Sequence, residues 1–190
     1  LQGMAYCMIS MVLTRMVSGF GAEAIATQRV GGQIESVSWN TADGFGAALN
    51  AFIGQNYGAG KMDRVKKGYR ASLWTVGIWG LFITFLFVCF PEPISRVFFH
   101  EPLAIATSVG YMIIIGFSEA FMSVELMTVG ALSGLGKTHL CSVISITLTS
   151  ARIPLAILLS GTRLGLLGIW WALSATSIVK GVVFVAVFYL

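Results

Sequence analysis

GFGAALNAFIGQNYGAGKMDRVKKGYR, residues 44–70, is an apolar helix with a stripe of small residues that closes in a glycine-rich corner and a burst of positive charge. At helical spacing Gly44, Ala47, Ala48, Ala51, Gly54 and Gly58 fall on one side. Phe45, Leu49, Phe52 and Ile53 cover much of the other. Small residues at three- and four-residue intervals let helix backbones approach closely in lipid, where burying apolar surface no longer drives association. Beyond the corner at Gly58 and Gly60, the cluster of Lys61, Arg64, Lys66, Lys67 and Arg70 marks the cytoplasmic end of a membrane span. Solvent, orientation and packing mode are all predicted from this one segment.

Composition agrees with it. The chain is 56% hydrophobic and only 11% charged, with a mean hydropathy of +0.84. Soluble domains carry roughly a quarter of their residues as charges, and too few are present here to build a water-facing surface. The membrane is the solvent. A net charge of +4 raises the question of nucleic acid, but the bases cluster in one short loop between apolar segments, which is a topology signal. Cys7, Cys89 and Cys141 sit in three different apolar segments without metal-type spacing and are expected to be small buried hydrophobes. No signal-peptide pattern is present. The chain opens at Leu1 inside one apolar run and stops at Leu190 inside another, as a piece of a longer protein would.

A span needs about twenty apolar residues, and six are predicted: residues 1–16, 30–55, 71–90, 103–132, 140–159 and 164–190. The first is short at its start, the second unusually polar, and the fourth long and holding Glu119 and Glu125. Positive charge orients them. The basic loop 57–70 and the turn at Lys137 are cytoplasmic, whereas the 91–102 connection, with Glu92, His100 and Glu101 against Arg96, lies outside. Arg163 is the exception. Both ends are then cytoplasmic, in a multi-pass protein of the plasma (inner) membrane.

Two motifs are decoys. GALSGLGKT at residues 130–138 resembles a phosphate-binding loop, but Ala131 stands where the motif needs glycine, and a helix precedes it instead of a strand. GFGAAL at Gly44 lacks the third glycine of a dinucleotide fingerprint and lies within a span. Both are better explained by close packing and a tight turn.

Ionisable groups inside spans are costly and mark function by default. In the second span Glu35, Trp39 and Asp43 are four apart and are placed on one face, with Asn40 and Asn50 nearby. A carboxyl in a low-dielectric cavity resists ionisation, so it can hold a proton near neutral pH and release it when a cation approaches. Trp39 adds a π face for an organic cation. The competing explanation is that Glu35 or Asp43 simply pairs with Arg29 or Arg152. Glu119 and Glu125 are six residues apart, about 240° around a helix, and cannot share a face. Neither has an adjacent base, so one of them is expected to line a cavity, Glu125 before Glu119. Arg152 and Lys180 are expected to act mainly as structural partners that snorkel. His100 with Glu101 is too small a set for a metal site. No Ser, His or Cys constellation supports an enzyme.

The polar span ending in GQNYGAGK and its basic loop, the later VGALSGLGKT, and the ARIPLAILLS and LGLLGIWWALSATSIVKG stretches together resemble the MATE (multidrug and toxic compound extrusion) transporters. In that family they are similar to the eighth span, the tenth span with its cytoplasmic turn, and the last two spans. The resemblance implies an all-α, six-helix bundle that is the C-terminal half of a twelve-helix fold, with the N-terminal six-helix bundle of the same protein as its partner. It implies an antiporter exporting amphipathic, cationic organic compounds in exchange for sodium ions or protons, without further cofactors. Flippases of polyprenyl-linked sugars share the fold superfamily and are the alternative. The family's acid in the tenth span would fall at Met122 here, with Glu119 and Glu125 flanking it.

Overall fold

The computed structural model describes residues 2–190, so Leu1, where the first predicted span starts, lies outside the described residues. Eight helices follow one another through them: α1 (Gln2–Ser18), α2 (Ala22–Gly58), α3 (Met62–Cys89), α4 (Pro91–Phe98), α5 (Pro102–Gly134), α6 (Thr138–Ser150), α7 (Arg152–Ser160) and α8 (Leu166–Tyr189). By length and apolarity α3, α5, α8 and the continuous α6–α7 stretch are each able to cross a membrane. α1 is shorter, and α2 is diluted by polar residues. At 37 residues α2 is nevertheless the longest helix, and at 1.5 Å per residue it reaches about 55 Å, well beyond a hydrocarbon core of about 30 Å.

Several boundaries differ from the sequence expectation, each for a local reason. The second helix begins at Ala22, not near Val30. The basic stretch is not a loop: Gly60 closes a tight turn at φ +70° and α3 starts at Met62, so Arg64, Lys66, Lys67 and Arg70 ride on its first turns. Only Lys61 of that cluster stays in the turn. The 91–102 connection contains α4, begun by Pro91 at a position where a missing N–H costs nothing. The fifth span is stepped at Ala151. Pro154 cannot donate to Ser150, and its ring crowds that carbonyl, which opens the helix just upstream.

α5 is the axis of the bundle, with α2, α3 and α8 packed along it. The α2 surface that makes this contact is Ala42, Gly46, Leu49 and Ile53. The stripe expected from Gly44 is displaced from it: Gly44, Ala47, Ala48, Ala51 and Gly58 are exposed, and Gly54 is half-buried against the Gly134 carbonyl. Gly46 is the working glycine, because a Cβ there would stand 2.9 Å from the Leu126 carbonyl oxygen. Its counterpart is Gly130, where a Cβ would collide with the Gly46 backbone. Below this crossing Tyr69 is stacked on Phe188 and hydrogen-bonded to Thr128 at 3.0 Å, within a core that includes Ile53, Val65 and Met127.

The outer surface is apolar. Trp74, Ile78, Leu81, Phe82 and Phe85 project from α3 without cover. Of the three cysteines only Cys141 is buried, and Cys7 and Cys89 are exposed, contrary to the expectation for all three. Both lie on helices whose outer faces are apolar, so the environment that suits a thiol there is the bilayer side and not the core.

Candidate functional site

A cavity of ≈ 620 Å³ opens between α1, α2, α5, α6, α7 and α8. Its charged lining is Glu35 from α2, Glu125 from α5, Arg152 from α7 and Lys180 from α8, two acids against two bases. Trp39, Tyr6 and Tyr111 supply aromatic surface, and Met122 lines the wall one turn before Glu125.

Each charge is held by a specific contact. Glu125 Oε1 accepts from Lys180 Nζ at 2.5 Å, both side chains being almost wholly enclosed. Glu35 accepts from the Tyr111 hydroxyl, and the Tyr111 ring is fixed edge-on against buried Trp170 with centroids 5.0 Å apart. Arg152 Nε donates to Thr176 Oγ1 at 2.9 Å, and its Nη2 donates to Ser177 Oγ at 2.8 Å. The step at Ala151 begins α7 at Arg152, whose guanidinium reaches the neighbouring helix α8 at the cavity's edge. From there it lies within electrostatic reach of both Glu35 and Glu125. Arg152 therefore touches hydroxyls and faces two carboxylates without closing an ion pair on either. Such a guanidinium is free to meet an anion or to balance a carboxylate, depending on what else occupies the cavity.

The sequence-selected residues divide. Glu35, Trp39 and Glu125 line the cavity. Asn40 and Asp43 are exposed and are not part of its lining. Four-residue steps drift about 40° per turn around a helix, so by Asp43 the face that began at Glu35 has rotated out. Glu119 is fully buried but also lies outside the lining, on a different side of α5 from Glu125. The expectation that no base accompanies the α5 glutamates fails at Glu125, where Lys180 arrives from another helix. Lys180 does not snorkel but is buried against Glu125, and it and Arg152 both face the cavity. Tyr111, Thr176 and Ser177 join the site without belonging to the set expected from sequence. The signal for the last two was the run SATSIVK at residues 174–180, polar within an otherwise apolar helix.

The MatE family model matches residues 1–158. The probable multidrug resistance protein NorM of Thermotoga maritima is 36% identical over 169 residues, covering 84% of this chain and 35% of that protein. The probable multidrug resistance protein YoeA of Bacillus subtilis is 27% identical over 156 residues, covering 81% of this chain and 34% of its own length. The chain thus spans about a third of the curated relatives it matches. In fold it superposes on the Vibrio cholerae MATE transporter VcmN in the bent form with a TM-score of 0.87 at 18% identity, covering 100% of this chain and 43% of that one. The relatives are named as resistance proteins and transporters, not as enzymes.

Proposed function

The chain belongs to the MatE family of membrane transporters, and from that premise we propose that it is the C-terminal six-helix half of a twelve-helix secondary antiporter. In this reading the full-length protein exports amphipathic, cationic organic compounds by alternating access in exchange for sodium ions or protons. Its N-terminal six-helix bundle supplies the facing wall, and both ends of this segment face the cytoplasm.

The observation that carries the reading is the cavity itself. A carboxylate, an exposed indole and an adaptable methionine line the same cavity at Glu125, Trp39 and Met122. Carboxylates attract the charge of an organic cation, an indole face accepts it, and apolar lining takes the rest of the molecule. The Glu125–Lys180 pair gives exchange a physical basis. A cation that reaches Glu125 competes with Lys180 for the same oxygens, so carboxylate occupancy and side-chain arrangement are linked. Glu35, anchored by Tyr111, provides a second acid on the adjacent helix α2.

A flippase of polyprenyl-linked sugars would be served by a cavity dominated by positive charge, and the balance of two acids and two bases does not favour it. Accumulation of a fluorescent cationic dye in cells expressing the full-length protein tests the assignment. Export is expected for the wild type and lost in Glu125→Gln and Glu35→Gln at equal expression. Wild-type export by both variants would reject these residues as the cation site.

A further inference from the structure

Five bases crowd the turn between α2 and α3 and the opening turns of α3: Lys61, Arg64, Lys66, Lys67 and Arg70. All are exposed. Among the described residues the ion pairs are Arg96–Glu92 and Lys180–Glu125, so none of the five is paired. Asp63 is the single acid in this stretch. Charge gathered so densely repels itself and is relieved by a bound anion.

The helix sets the direction from which that anion comes. At about 100° per residue, Lys67, Arg70, Trp74, Ile78, Leu81 and Phe85 lie within about 80° of arc on α3. This strip is opposite the buried stripe of Val65, Tyr69, Val76 and Ile83. Its apolar members are exposed. Arg64 and Lys66 flank Lys67 on either side, so the bases continue the same line of side chains that forms the outer face of the span. Trp is favoured where hydrocarbon gives way to headgroups. At about 1.5 Å per residue, Arg70 lies about 6 Å and Lys67 about 10 Å beyond Trp74 along the axis, which is headgroup depth. Asp63 is a further turn out, in water. The Phe52 ring of α2 fills the space that a Cβ on Gly68 would need, so α2 bounds the strip beside Lys67.

A phosphodiester matches this arrangement. Arg70 offers a planar fork to two phosphate oxygens, and Lys67 a compact charge on a flexible stem. Trp74 can lie at the level of the glycerol esters, with Ile78, Leu81 and Phe85 below it for an acyl chain. A headgroup that carried its own ammonium would bring a sixth positive charge among five. A soluble anion would use the bases and leave the apolar strip without a role. Charge and strip together call for one amphiphile that is negative at its head.

We propose that the first turns of α3 hold an anionic glycerophospholipid, its phosphate between Lys67 and Arg70 and its chain along Trp74, Ile78, Leu81 and Phe85. Polybasic segments next to a span attract anionic lipids, and here the bases are in register with the surface that meets the bilayer. By the proposed topology the lipid belongs to the cytoplasmic leaflet. The site is separate from the cavity and does not rest on the antiporter reading.

Thermal unfolding of the purified, delipidated full-length protein in a non-ionic detergent tests it. The additions are phosphatidylglycerol, phosphatidylcholine with the same acyl chains, and inorganic phosphate. A ligand bound to the native state alone raises the midpoint progressively with the logarithm of its concentration. Phosphatidylglycerol is expected to do so, and the other two are not. Lys67→Gln with Arg70→Gln should raise the half-saturating phosphatidylglycerol concentration at least tenfold. Arg96→Gln with Arg163→Gln removes the same charge from exposed positions elsewhere and should leave it within twofold. Equal responses to the two lipids overturn the site. A response to inorganic phosphate equal to that of phosphatidylglycerol overturns its assignment to a lipid. Unchanged half-saturation in the Lys67 and Arg70 variant also overturns it. So does an equal loss in both double variants, which would mark an effect of net charge alone.

Discussion

Lys180 Nζ stands 2.5 Å from Glu125 Oε1, joining α8 to α5 within the cavity wall. Removing one member of a buried pair strands the other, at a cost of about 3–5 kcal/mol, whereas replacing both with apolar residues of similar volume is often close to neutral. Lys180→Met is therefore expected to lower the unfolding midpoint strongly, and Lys180→Met with Glu125→Met to recover most of the loss. Thermal unfolding in detergent measures both. A double variant no more stable than Lys180→Met would show that the lysine stabilises by some route other than the pair.

The α2–α5 crossing separates two glycines that look alike in sequence. Gly130→Ala pushes a methyl group into the Gly46 backbone, and overpacking of this kind costs about 1–3 kcal/mol. Gly44→Ala meets open space and should change stability by no more than about 0.5 kcal/mol. Comparable losses in the two variants would contradict the packing register.

Much of this register was hidden in the sequence for a definite reason. Apolar length and the basic cluster after Gly60 mark where helices run and which ends carry charge, because those signals are local. Which face of α2 is buried depends on α5, some eighty residues away, and the small residues from Gly44 fit a helix interface as well as Ala42, Gly46, Leu49 and Ile53 do. Four-residue spacing brought Asp43 into line with Glu35 and Trp39, but helical drift carries it out of the cavity. The partners Lys180 for Glu125 and Tyr111 for Glu35 are tertiary facts. Cys7 and Cys89 depart from the expectation of burial because a lipid-facing surface and a core are equally apolar in composition.

Tyr111 is expected to act through Glu35. Tyr111→Phe keeps the ring against Trp170 and removes only the hydroxyl that Glu35 accepts from. Loss of a hydrogen bond to a charged group costs about 1.5–3 kcal/mol. Dye export should fall along with the unfolding midpoint. Export at the wild-type rate with an unchanged midpoint would mean that Glu35 is positioned by something else.

Orientation is tested by single cysteines in a background where Cys7, Cys89 and Cys141 are replaced by alanine. Lys66→Cys lies on the first turns of α3 and Glu92→Cys on α4, beyond the opposite end of α3. A membrane-impermeant maleimide applied to intact cells should label the second and not the first. The reverse pattern would invert the proposed topology.

The meeting of Gly46 and Gly130 also has a mechanical consequence. Helices in backbone contact cannot roll or slide past one another without collision, so α2 and α5 behave as a single stiff plate carrying Glu35, Trp39 and Glu125. α1 and α6, on the other side of the cavity, have no comparable glycine-to-backbone contact among the described residues. The cavity thus has one wall locked backbone to backbone at α2 and α5, so a change in its shape carries Glu35, Trp39 and Glu125 together.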